Sequence, residues 1–109
     1  MKRLIALAFA MMATPAHAND IWVDGNALYA KCKSKQSAEQ VACGYYILGV
    51  IDSTVMDKER GITTPQGVKL TQIVDMVVQS MEKNPDKRHY PAAIIVRAVI
   101  DSAWPKGGK

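Results

Sequence analysis

Lys2 and Arg3 stand before an unbroken apolar run from Leu4 to Ala13, and Ala16-His17-Ala18 follows. A basic end, an apolar centre and a small-x-small cleavage site together make an export leader. No other feature constrains the fold as much. Cleavage after Ala18 takes 18 of the 109 residues and leaves 91, Asn19 to Lys109, enough for one domain with a modest core. It also delivers the product to a compartment where thiols oxidise, here expected to be the periplasm. The first cysteine is Cys32, so no lipid-anchoring thiol follows the cleavage point.

Loss of Lys2 and Arg3 lowers the formal charge from +4 to +2. A weakly basic domain without a basic block gives no warrant for nucleic-acid binding. After leader cleavage no membrane insertion is expected: the apolar stretch Ala92 to Val96, for instance, stops at Arg97. The mature domain is too small for a dinucleotide fold, and no cofactor is expected.

The periodicity predicts an all-α domain, a small bundle of about four helices. Asn19 to Asp24 reads as an arm laid over the core, with no strand partner nearby and Trp22 as its anchor. A first helix is expected from about Ala27 to Lys33, capped by Asn26 or Asp24, with Leu28 and Cys32 on one face. The second opens with a capping-box sequence, Ser37 capping and Gln40 reaching back. It is apolar nearly all round from Val41 to Met56, the pattern of a helix at the centre of a bundle. Gly44 and Gly49 cost it about 1 kcal/mol each relative to Ala, which close approach of a neighbouring helix would offset. Tyr45 and Tyr46 are adjacent, so one must face away from the core.

Asp57 to Gly67 reads as a charged loop. A third helix is expected from about Val68 to Lys83, with Leu70, Ile73, Val74, Val77 and Met81 as its apolar stripe and Asn84-Pro85 as its stop. A fourth is expected to start near Pro91, bury Ile94, Ile95, Ala98 and Val99, pair Arg97 with Asp101 on its other side, and end at Trp104-Pro105. Lys106 to Lys109 reads as a frayed tail.

Ten residues separate Cys32 and Cys43, the only thiols. In an exported helical hairpin they are expected to form a structural disulfide joining the first two helices, stabilising by roughly 2–3 kcal/mol. A redox site would want C-x-x-C, and a zinc site would have to recruit His89 and a carboxylate at no recognisable spacing. His89 is the only histidine of the mature chain. With neither a nucleophile nor an orienting partner at a distinctive spacing, it reads as bracing a turn. Asp75 and Glu82 lie seven apart on the expected solvent side of the third helix. No catalytic residue and no enzyme activity are expected.

Binding residues gather on loops held by rigid scaffolds. The loop residues Asp57, Lys58, Glu59, Arg60 and Ile62, with Ile62 read as exposed, are the first candidate contact surface. Arg88 and His89, between Lys87 and Tyr90, are the second.

The residue blocks carry a resemblance over nearly all the mature chain. Asn26-Ala27-Leu28-Tyr29 before Cys32, followed by Cys43-Gly44-Tyr45-Tyr46-Ile47-Leu48-Gly49-Val50-Ile51-Asp52, resembles the first half of the Rap/Tai family of type VI secretion immunity proteins. Pro65-Gln66-Gly67-Val68, Gln72, the run Pro85 to Ala93, Ala98 and Trp104-Pro105 resemble its second half. The resemblance implies a periplasmic helical protein that binds a cognate secreted peptidoglycan amidase toxin and occludes its substrate groove, often as a homodimer. Relatives commonly carry a second cysteine pair where this chain has Thr64 and Lys106, and a threonine where it has Lys69. The last two helices are therefore expected to be held by packing alone, and the third to start later or less well capped. The alternative reading is a structural or accessory helical protein of the bacterial envelope or a secretion apparatus.

Overall fold

A computed structural model describes residues 21–55 and 57–106. Residues 1–20, which include the expected leader and cleavage site, lie outside them, as do Met56 and the last three residues. Among the described residues four α-helices form: α1, Gly25–Lys33; α2, Ser37–Ser53; α3, Leu70–Lys83; and α4, Ala92–Ala103. A single 3₁₀ turn, Pro85–Lys87, joins the last two. Each helix packs against the other three. The shared core is Leu28 of α1, Cys43 and Ile47 of α2, Ile73, Val77 and Met81 of α3, and Ala92, Val96 and Ile100 of α4. No helix of the described residues is long and apolar enough to cross a membrane.

The first turn of α1 is capped by tertiary contacts. A helix leaves its first N–H groups without partners in its own ladder. Here the Ala27 N–H donates to Asp24 Oδ1 at 2.8 Å, which decides the cap in favour of Asp24 over Asn26. The Gly25 N–H donates to the Tyr90 carbonyl at 2.9 Å, and the Asn26 N–H to the Arg88 carbonyl at 2.8 Å. The Ala92 N–H, at the start of α4, returns a bond to the Val23 carbonyl at 2.9 Å. Asp24 and Pro91 thus form an isolated antiparallel bridge, so the arm does find a strand-like partner. Its anchor is this backbone pairing together with the half-buried Val23, whereas Trp22 is 92% exposed.

Cys32 and Cys43 form the expected disulfide between α1 and α2, Cα atoms 5.1 Å apart. The connection between these helices departs from the capping-box reading. Gln36 is the N-cap of α2, and no side chain caps it. Ser37 is already helical, and Gln40 Nε2 donates to the Ser34 carbonyl at 2.8 Å. Ser34 Oγ accepts from the Gln36 N–H at 3.1 Å. The disulfide-bound hairpin places Ser34 within reach, and Gln40 turns to it.

Two expectations for α2 fail. It is not wrapped on all sides: Val41 and Tyr45 are exposed, Tyr45 by 70%, while Tyr46 packs against the core. Burial holds the Tyr46 hydroxyl above its usual pKa. A Cβ on Gly44 would meet only Leu70 at 3.9 Å, and one on Gly49 would meet nothing, so no neighbouring helix makes use of either glycine. Four helices of this length cannot surround one of their own number, so part of α2 stays wet.

The apolar stripe of α3 faces the core as expected. The helix begins at Leu70, two residues later than the pattern alone places it, with Lys69 as an N-cap whose side chain makes no capping bond. On α4 the buried side is rotated from the expected one. Ala92, Val96 and Ile100 are fully buried, Ile95 and Val99 half-buried, and Ile94 is 60% exposed. The apolar arc of α4 is wider than its neighbours can cover, so periodicity alone does not say which part they take. Arg97 and Asp101 face each other on the opposite side at 3.8 Å.

Candidate functional site

The loop after α2 is held by its own backbone groups. Asp57 Oδ1 accepts from the N–H groups of Arg60, at 2.8 Å, and Glu59, at 3.1 Å. The Arg60 N–H is the larger influence holding this carboxyl below its usual 3.8, and the Glu59 N–H and the Arg60 and Arg97 guanidiniums add to it. Thr54 is buried; its hydroxyl donates to the Ile51 carbonyl at 2.8 Å and accepts from the Ile62 N–H at 3.1 Å. A Cβ on Gly61 would stand 2.6 Å from the Asp57 carbonyl oxygen, so only glycine fits there.

Ile62, read from the sequence as exposed, is half-buried and packs on the core. Lys58, Glu59 and Arg60 are left facing solvent on a fixed turn. Of the expected tail only Lys106 lies among the described residues, and it is held: its Nζ donates to the Glu59 carbonyl at 2.7 Å and also to that of Lys58. Lys106, just past α4, is therefore tied to the loop by hydrogen bonds, and the second half of the fold does not rely on packing alone.

The second candidate surface divides in two. The half-buried Arg88 donates from Nε to the Met81 carbonyl at 2.7 Å, and its guanidinium lies 3.9 Å from the centroid of the Tyr29 ring. One side chain thereby joins α1, α3 and the turn before α4. His89 is exposed, its ring 4.5 Å from that of Tyr90.

Between α3 and α4 runs an open groove of about 760 Å³. Met76, Ile94, Ile95, Ala98 and Val99 supply apolar lining, and Lys83, Lys87 and Arg88 stand at one end. Arg88 brings the second candidate surface to this groove, together with its neighbours Lys87 and Tyr90. Its apolar part was signalled in the sequence by the surplus of apolar residues on α4.

Among the described residues no group of three His, Cys, Asp or Glu side chains is placed to hold a metal ion. Glu82 pairs with Lys33 at 2.9 Å, tying the end of α1 to α3.

A family model described as Rap1a immunity proteins matches residues 24–105. The chain belongs to the Rap1a immunity protein family. The Rap1a match opens at Asp24, the cap of α1, and closes at Pro105, just past α4. It therefore spans all four helices and the loop, and it excludes the exposed Trp22. No curated protein and no solved structure matches the chain significantly.

Proposed function

We propose that this Rap1a-family protein resides in the periplasm, binds a cognate peptidoglycan amidase delivered by type VI secretion, and blocks its substrate groove. The observation that carries the reading is the family match across 24–105, the whole of the helical fold. A disulfide between α1 and α2 suits an oxidising compartment. Inhibition is steric: the bound protein excludes peptidoglycan and needs no chemistry of its own.

A tight complex of standard size buries roughly 800 Å² on each partner, a large patch for a domain of this size. The turn bearing Lys58, Glu59 and Arg60 contributes to it, because its geometry is set before binding and little ordering entropy is lost. Asp57 and Ile62 act from beneath, by shaping and seating the turn. His89 adds an exposed ring near the groove, and Arg88 holds the segment that presents it. Two copies of the chain would present two such surfaces.

The test is co-expression with a type VI-secreted peptidoglycan amidase of the same organism, followed by co-purification and a peptidoglycan hydrolysis assay. A stoichiometric complex in which hydrolysis stops is the expected result. A chain that neither co-purifies with the amidase nor slows it overturns the reading.

A further inference from the structure

The fold does not use all the apolar surface of α4. Ala92, Val96 and Ile100 complete the core, yet Ile94 on the same helix remains 60% exposed. With Ile95, Ala98, Val99 and Met76 it lines the groove along α3. The lined part of α4 runs from Ile94 to Ala103, roughly 14 Å at 1.5 Å per residue. A third helix of two to three turns has that length, and helices seat in such grooves through apolar side chains spaced i, i+3/i+4 and i+7.

Charge selects the occupant further. The ionisable side chains lining the groove include Lys83, Lys87 and Arg88 and no carboxylate. The acids nearest in sequence are occupied or lie elsewhere: Asp75, beside Met76, is exposed on α3 and outside the lining. Glu82 is paired with Lys33, Asp101 faces Arg97, and Asp86 is exposed on the 3₁₀ turn outside the lining. None of residues 57–62 lines the groove.

We infer that the groove between α3 and α4 is a docking site for an acidic amphipathic helix, whose apolar face lies on Ile94, Ile95, Ala98 and Val99 and whose carboxylates meet Lys83 and Lys87. This goes beyond the immunity reading, since it names a second surface and the chemistry of the segment that fills it. Methionine at Met76 suits such a contact, because its flexible thioether adapts to differing apolar faces.

The test uses the exported protein and two synthetic helical peptides of roughly 14 residues. One carries leucine on one face and glutamate on the other; in its counterpart lysine replaces every glutamate. Titration calorimetry gives affinity, and amide chemical shifts locate the contact. The expected result is binding of the acidic peptide at least about tenfold tighter than the basic one, weakened by salt, with shifts centred on residues 94–99. Ile94→Lys, a change at an exposed position, and the pair Lys83→Glu with Lys87→Glu are each expected to weaken it by about tenfold or more, whereas Arg60→Ala leaves it unchanged. Equal affinity for both peptides, no binding, or shifts outside the groove would overturn the inference. The assay contains no amidase, so its failure leaves the immunity reading standing, and loss of amidase binding leaves this one standing.

Discussion

Gly61 and Asp57 show how much a single residue decides in this loop. The Asp57 carboxylate gathers two N–H groups, and that turn brings the Gly61 Cα against the Asp57 carbonyl. Gly61→Ala is expected to destabilise the protein by about 1–3 kcal/mol, read as a lower urea midpoint; an unchanged midpoint would show that the turn relaxes at no cost. The Asp57 carboxyl titrates lower in the folded chain than unfolded. Its contribution is therefore present above the unfolded value of 3.8 and is lost as pH falls through the lower folded value. Asp57→Asn is expected to flatten the acid side of the stability profile, measured as urea midpoints between neutral and strongly acidic pH. The bend was legible as a charged stretch with glycine and proline. That Asp57 organises it, that Thr54 supports it, and that Lys106 grips it were not, because each depends on atoms brought together by the fold.

At the scale of elements, two of the ties between the helices are open to direct test. The disulfide closes the α1–α2 hairpin, and replacing both cysteines by alanine is expected to cost roughly 2–3 kcal/mol. Unfolding in urea with and without a thiol reductant checks this: reductant should shift the wild type and leave the double variant unmoved. The other tie is Arg88. Arg88→Lys keeps the charge but loses the planar donor at the Met81 carbonyl and the fit over Tyr29, with an expected loss of about 2 kcal/mol. Faster amide exchange at Gly25 and Asn26 should accompany it, since their acceptors are the carbonyls of Tyr90 and Arg88. Helix positions were legible because apolar spacing and Asn84-Pro85 punctuate the chain. The buried side of α4 was not, because nearly all of its circumference is apolar and only the placement of α1, α2 and α3 chooses the core side.

For the whole molecule, stability and binding are separable. Lys58, Glu59 and Arg60 are exposed while the residues that shape their turn are not. Reversing two charges together, Lys58→Glu with Arg60→Glu, is expected to leave the urea midpoint unchanged and to weaken binding of the proposed amidase partner by about tenfold or more, as measured by titration calorimetry. Unaltered affinity would remove the loop from the contact surface. Replacing Arg60 and Ile62 together is a poorer probe, because Ile62 packs on the core and its loss would disturb the turn itself.

The amino-acid pattern by itself determined an all-helical domain, its four helices, the Cys32–Cys43 bridge and the resemblance that the Rap1a match bears out. These follow from spacing and side-chain chemistry along the chain, where neighbours in sequence are neighbours in space. Only the tertiary structure decided that the Val23 carbonyl takes the first N–H of α4 while the Arg88 and Tyr90 carbonyls take those of α1, that Lys106 ties the loop, and that α4 leaves a groove with cations at one end. Those features pair residues dozens of positions apart, and hydrogen bonds or apolar contacts between them exist only after the helices have packed.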